Sequence, residues 1–312
     1  MGLWADFQYV SVPGVWEGWT VGTEHVIHLK DSRVMEDVED QSVHLVVSSP
    51  PYWNLKKYPE HPLQLGNIGD YSVFLAELSK VWSECFRVLV PGGRLCIVVG
   101  DICLSRRRYG RHRVLPLHAD IIRSCLDAGF DYLSPIIWYK ISNVSTEAKR
   151  PGYCLGRPNG PNSVVKNEIE YILVFRKPGG YRRVSKGLAQ LSRLTRQEYV
   201  AFFSQVWRLN GDNSSPHPAS FPLQIPYRLI KMFSYVGDCV LDPFLGSGTT
   251  TIAAMMLGRN SIGYEVEPTF ISLIEDRIRE NIGSSLLEER RVTCCSLLFK
   301  VKSDRLEAKY LS

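Results

Sequence analysis

Two short segments of the chain carry residue types whose spacing suits chemistry on a flat, amine-bearing ring. The first is Ser49-Pro50-Pro51-Tyr52, which closes the apolar run Val46-Val47-Ser48. Consecutive prolines fix the backbone and remove two amide donors, so the Pro50 carbonyl stands as a rigid acceptor. Ser49 offers a second oxygen beside it, and Tyr52 offers an aromatic face. Two acceptors for N–H groups and a stacking surface would hold a planar amine. A Pro-Pro strand end with a core tyrosine accounts for the same residues equally well.

The second segment is Asp242-Pro243-Phe244-Leu245-Gly246-Ser247-Gly248-Thr249, an apolar strand that runs through a Gly-rich turn into a helix. Glycines let backbone approach a ligand closely, and a helix start adds free amide donors. Thr250 and Thr251 stand where a dinucleotide fingerprint has its third glycine, and no Gly-Lys-Ser/Thr follows, so a phosphate loop is excluded. The next apolar run ends in Glu265, placed to accept hydrogen bonds from ribose hydroxyls. These features suit a nucleoside without a phosphate chain, and S-adenosylmethionine is one.

Elements must position both segments. Apolar runs rich in Val and Ile, with little alternation, predict buried strands over residues 44–49, 94–100, 135–139, 169–175, 239–241 and 261–264. Helical spacing puts Phe74, Leu78, Val81, Trp82, Cys85, Phe86 and Leu89 on one stripe, and Pro91-Gly92-Gly93 ends that helix. Further helices are predicted over 116–128, 222–235, 249–257 and 268–281. Alternating strands and helices give a doubly wound, mostly parallel sheet. Residues 143–166 and 177–222 lack periodicity and read as irregular connections of the kind that serve as lids or recognition loops.

The chain has 312 residues, 45% hydrophobic and 22% charged, enough for one enlarged α/β domain with an insert. No apolar run is long enough to span a bilayer, and the first residues lack the basic start and apolar stretch of a secretory signal. A cytoplasmic protein is therefore expected. The 8 Cys include no Cys-x-x-Cys pair and read as scattered buried thiols rather than disulfides or a zinc site; no metal is expected. The net charge of +5 is unevenly spread: residues 140–210 hold 13 Lys and Arg against 4 Glu and no Asp. A polyanionic partner explains that excess, and so does a solvated basic face. Arg106, Arg107, Arg108, Arg111 and Arg113 crowd one short stretch, which suits phosphate contacts.

Taken together, the sequence resembles the amino-methyltransferases that act on DNA. Ser49-Pro50-Pro51-Tyr52 matches the catalytic motif of that family, and the segment from Asp242 to Thr249 matches its cofactor motif. The catalytic motif comes first, as in the permuted beta class. Val90-Pro91-Gly92-Gly93, Ile137-Trp138-Tyr139-Lys140, Glu170-Tyr171-Ile172-Leu173, His217-Pro218-Ala219-Ser220-Phe221-Pro222 and the stretch from Leu257 to Glu265 also match. The likeness covers nearly everything from about residue 27 to 281.

The resemblance implies a seven-stranded Rossmann-like methyltransferase sheet, circularly permuted, with an irregular target-recognition insert. It divides the chain into a catalytic half (1–142), a target-recognition region (143–215, including core strand 169–175), a half that binds S-adenosylmethionine (216–281) and a tail without assigned role (282–312). Family members with Ser at the first motif position usually methylate cytosine N4, and those with Asp adenine N6, so Ser49 favours cytosine. Ser49 Oγ and the Pro50 carbonyl would then draw the amine toward a tetrahedral shape for direct, in-line transfer, with the proton lost afterwards. The family forms no covalent adduct, and none of the 8 Cys follows a Pro as the cytosine-C5 class requires.

By the same resemblance the cofactor contacts are Asp242, Pro243, Phe244, Gly246, Ser247, Gly248, Thr249 and Glu265. Asp31, on the strand before the catalytic one, touches the adenine, while a surface Asp in a turn explains it nearly as well. Phe221 and Pro222 either line the methionine end of the pocket or start a helix. Asp101 faces the same pocket. Lys140 contacts the target base or a phosphate, with a solvated lysine the equal alternative. The expected partner is double-stranded DNA at the nucleoid of a prokaryotic cell, with a separately acting restriction endonuclease and a monomeric or homodimeric state. Adenine-N6 methylation and an idle DNA-binding module are the rival functions; the intact tetrapeptide and Glu265 argue against the second.

Overall fold

The computed structural model describes residues 23–55, 58–140, 165, 167–211, 221–282 and 298–302. The chain opens with β1 (Glu24–His28) and β2 (Val43–Ser48), followed by helix α1 (Tyr71–Val88). Asp70 caps α1 by accepting from the backbone N–H groups of Ser72 and Val73, and the helix buries Phe74, Leu78, Val81, Trp82, Cys85 and Val88. Strand β3 (Leu89–Val99) follows at once. It thus starts earlier than expected: Pro91-Gly92-Gly93 lies inside it, as an irregularity between the pairings Val43↔Leu89 and Leu45↔Arg94. Gly92, at φ 79°, makes the bend, and its N–H donates to the Lys177 carbonyl.

Next come β4 (Ile102–Leu104), a short helix α2 (Arg106–Tyr109) and β5 (Arg113–Leu115), where β4 and β5 form a separate antiparallel hairpin. Helix α3 (Leu117–Asp127) leads to β6 (Asp131–Tyr132), β7 (Ile136–Lys140) and β8 (Ile169–Arg176). Helices α4 (Lys186–Leu191) and α5 (Arg196–Phe202) and strand β9 (Val206–Leu209) occupy a stretch that sequence periodicity leaves irregular. The remaining elements are α6 (Gln224–Phe233), β10 (Cys239–Asp242), α7 (Thr249–Met256), β11 (Asn260–Tyr264), α8 (Phe270–Ile282) and β12 (Leu298–Lys302).

One sheet runs in the order β12-β1-β11-β10-β2-β3-β8-β7-β9, with β6 added on β8. The expected seven strands form its centre, from β1 to β7, and β12, β9 and β6 extend it to ten. Every pairing of this sheet among the described residues is parallel except those of β8 with β3, β6 and β7. Strand residues alternate between two cores. Leu95, Ile97 and Val99 pack with α1 and α3, whereas Cys96 and Val98 pack with α6 and α7. Helices on both faces make the sheet doubly wound. Cys85, Cys96 and Cys125 are buried thiols, but Cys103 is exposed, against expectation. Among the described residues no helix is long and apolar enough to cross a membrane.

Candidate active site

Parallel strands deliver their following loops to one edge of the sheet. The loops after β1, β2, β10 and β11 are therefore neighbours, although they lie far apart in sequence. They surround a cleft that encloses about 750 Å³, solvent at its mouth included. Ser49 and Pro51 line it from the β2 side, and Pro243, Phe244, Gly246, Ser247 and Thr249 line it from the β10 loop. Glu265, Asp31 and Phe221 complete the expected wall. The two motifs read in the sequence thus meet in one cavity of a size suited to a small ligand.

The Gly-rich loop is held from behind. Gly246 and Gly248 have φ of 53° and 78°, a region that favours glycine. A Cβ on Gly248 would stand 2.8 Å from Ile274 Cγ2 on α8. Arg277, one turn along α8, donates to the Ser247 carbonyl at 2.8 Å and to Thr249 Oγ1 at 3.0 Å. Gly248 lies behind the surface of the cleft, toward α8. Glu265 accepts from the backbone N–H groups of Gly246 (2.8 Å), Val266 (2.9 Å) and Glu267 (3.0 Å). A carboxylate has about four lone-pair positions, so acceptor capacity remains for a ligand. Burial pushes the Glu265 carboxyl up to about 7, partly offset by those N–H donors.

Asp242 departs from its expected place. It is buried beneath the loop and does not line the cleft. Its carboxylate accepts from Ser48 Oγ at 2.5 Å, Thr250 Oγ1 at 2.7 Å and the Phe244 N–H at 3.0 Å. It therefore ties the catalytic strand to the cofactor loop, one residue before Ser49. Burial raises its carboxyl to about 6 against the effect of these donors. Asp31 also departs: it follows β1 in a turn rather than lying on the strand. It lines the cleft while its carboxylate holds Arg33, accepting from the Arg33 N–H at 2.9 Å and Nε at 2.8 Å. Pro222 lies outside the lining, where its carbonyl starts α6 by accepting from the Ile225 N–H. Asp101 pairs with His118 Nδ1 at 2.6 Å and is absent from the lining.

Tyr52 is half-buried next to the cleft, and its hydroxyl donates to Glu170 at 3.0 Å. Burial first, then the Glu170 charge, push the phenol well above its ordinary range, so it keeps its proton. Lys140 is not free for a phosphate. Its ammonium forms an ion pair with Glu170 and lies 4.6 Å from the Trp138 ring centroid. Arg106, Arg107 and Arg108 sit on α2 and Arg113 on β5, with Arg111 between them; all five are exposed. This hairpin follows the carboxyl end of β3, beside the edge that carries Ser49.

Comparison with known proteins agrees with this site. Residues 43–276 match the DNA methylase model of the N6/N4 methyltransferases. The chain belongs to the N6/N4 DNA methylase family. The methylase is 39% identical over 287 residues to type II methyltransferase M.MjaI of Methanocaldococcus jannaschii, covering 83% of this chain and 92% of that one. It is also similar to a DNA modification methylase of Thermus thermophilus, crystallised with S-adenosyl-L-methionine. That likeness has 43% identity and a TM-score of 0.69, and covers 89% of this chain and all of the other. PvuII DNA methyltransferase (cytosine-N4-specific) shares the fold, with a TM-score of 0.60 at 20% identity over 84% of this chain and 92% of that one.

The methylase also builds its cleft from residues that sequence reasoning does not single out. Tyr58, Gln64 and Leu65 wall it from the segment after the catalytic motif, and Tyr264, Val266 and Phe270 flank Glu265. Val266 and Phe270 carried a signal, since apolar residues just past a ribose-binding acid are placed against a base. Tyr58 carried none. Its place depends on a turn that brings its ring against Gly66, where a Cβ would stand 2.4 Å from Tyr58 Cδ2. Trp53, from which the sequence yields nothing, is buried at φ 47° and donates from Nε1 to the Ile68 carbonyl, anchoring that turn. Residues 143–164 and 217–220 of the expected recognition region and matching motifs lie outside the described residues.

Proposed function

We propose that this DNA methylase transfers a methyl group to N4 of cytosine in double-stranded DNA. The observation that carries the reading is Ser49, which lines the same cleft as the Gly-rich loop. S-adenosylmethionine is the methyl donor, and it supplies an electrophilic methyl on sulfur when bound. The cleft fits it: Gly246 and Gly248 keep the loop close, and Glu265 offers a carboxylate at the tip of β11. Gly246, Ser247 and Thr249 face its methionine portion together with Phe221, while Glu265 takes the ribose and Asp31, Val266 and Phe270 flank the adenine.

An exocyclic amine is a poor nucleophile because its lone pair is delocalised into the ring. Ser49 Oγ and the Pro50 carbonyl accept its two N–H groups and draw the nitrogen toward a tetrahedral shape. Alignment of that nitrogen supplies most of the acceleration. The base must leave the duplex to reach Ser49, and the Tyr52 ring is the surface on which it stacks. Digestion of methylated DNA followed by nucleoside mass spectrometry tests the proposal. N4-methylcytosine is the expected product; N6-methyladenine refutes the target base, and absence of any methylated base refutes the activity.

Arg106, Arg107, Arg108, Arg111 and Arg113 bind phosphates without reading sequence, whereas the basic region 143–215 reads bases. Replacing Arg106, Arg107 and Arg108 together with Ala is expected to weaken cognate and unrelated duplexes alike. The slope of log affinity against log salt should fall by roughly 2–3, about one per lost phosphate contact. Fluorescence anisotropy at several salt concentrations checks this, and loss confined to the cognate duplex makes these residues base readers instead. A restriction endonuclease acting separately on the same site completes the proposed system, which works at the nucleoid.

A further inference from the structure

Strand β8 is the one reversed strand of the sheet's centre, so its first residues arrive at the edge where β2, β3 and β7 end. Glu170 is delivered there and pairs in register with Trp138. Its side chain is 13% exposed and has two partners. Lys140, at the end of β7, forms an ion pair with one oxygen, and the Tyr52 hydroxyl donates to the other at 3.0 Å. The Tyr52 hydroxyl is in turn a hydrogen-bond neighbour of the Ser49 hydroxyl. Gly100 keeps the space clear, since a Cβ there would stand 3.0 Å from Glu170 Cγ and 3.4 Å from Tyr52 Cε2.

The direction of each bond in this row is dictated by chemistry. An ammonium only donates, and an ionised carboxylate only accepts. Tyr52 spends its single proton on Glu170, so its oxygen can only accept from Ser49. Ser49 thereby spends its own proton on Tyr52, and its lone pairs are left for an incoming N–H. A serine hydroxyl without such a partner rotates freely and can present its proton to the amine, which is the wrong polarity for drawing N–H density away.

We propose that Glu170, held ionised by Lys140, is a positioning residue that acts through Tyr52 to make Ser49 an obligatory acceptor for the target amine. The inference rests on the amine-binding role proposed for Ser49, and it holds for either base, because cytosine and adenine amines both offer two N–H groups. It also explains why a lysine at the mouth of a DNA-binding site is committed to a carboxylate instead of a phosphate.

The test measures single-turnover methyl transfer to duplex DNA with labelled S-adenosylmethionine, alongside cofactor affinity by calorimetry. Glu170→Gln keeps the shape but lets the amide oxygen face Lys140 and the amide N–H face Tyr52, which reverses the row. A rate lower by roughly 10- to 100-fold is expected, with cofactor affinity unchanged. Lys140→Met should lower the rate in the same direction. In a Tyr52→Phe background, where the row is cut, Glu170→Gln should cause no further loss. An equal loss in both backgrounds gives Glu170 a purely structural role and overturns the proposal, as does a rate unchanged in both. Product identity is read separately, so N6-methyladenine would refute the cytosine assignment while leaving the double-variant comparison valid.

Discussion

Ser49→Ala is expected to lower turnover by roughly 100-fold, the scale seen when one of two preorganised hydrogen-bond partners is removed from a reacting group. The loss should fall on kcat, because the Ser49 oxygen matters most as the amine becomes tetrahedral. S-adenosylmethionine affinity should hold, since the loop from Pro243 to Thr249 and Glu265 is untouched. Ser48, the neighbouring residue, keeps the strand in place through its 2.5 Å bond to Asp242, so the change should leave the fold intact. Steady-state kinetics and calorimetry on the same preparation separate these effects. Undiminished kcat would remove Ser49 from the transfer step.

Glu265→Ala should weaken S-adenosylmethionine binding by roughly 10- to 100-fold, as expected when a charged acceptor of hydroxyl hydrogen bonds is lost. DNA affinity should stay nearly constant. The same residue predicts a pH dependence. Its folded carboxyl titrates near 7 and accepts most strongly when ionised. Cofactor affinity should therefore rise as pH increases through 7 and level off above it. Stability of the free protein carries the opposite sign. A folded carboxyl pKa above the unfolded value contributes stability that is full below about 4.5 and is lost as pH rises through about 7. Calorimetric titrations at several pH values, repeated with Glu265→Gln, check the claim. A dependence that survives in Glu265→Gln would assign the titration to another group.

Much of this architecture was readable because it rests on periodicity and on residues with restricted backbones. The stripe from Phe74 to Val88, the Val-rich runs of β2 and β3 and the glycine turn after β10 are local signals, and the sheet follows from their alternation. What escaped is short or tertiary. β1 has two histidines among five residues, and β9 has four residues with an arginine inside, so neither shows a clean run. Helix α5 did announce itself through Thr195-x-x-Glu198, a capping box whose two reciprocal bonds form at 2.9 and 3.2 Å. Asp242, as the head of the cofactor motif, was expected in the pocket; only the fold shows it turned toward Ser48. Lys140 and Glu170 lie 30 residues apart, and their pairing exists only because β8 runs backwards beside β7.

The placement of β1 has a consequence for how the chain is made. Both of its described neighbours, β11 and β12, come from the far end of the sequence, and the bond from the Glu24 N–H to Asn260 spans 236 residues. β2 is in a similar position, since one of its two sides waits for β10. During synthesis at about 5–20 residues per second, these apolar edges stay open for on the order of ten seconds or more after they leave the ribosome. Open strand edges template pairing with other chains. The methylase is thus most prone to aggregate while still attached to its message, and a translational pause before residue 239 would lengthen that window. Faster elongation through α6 and the cofactor loop would shorten it, so codon choice between residues 211 and 264 should govern soluble yield more than any surface substitution.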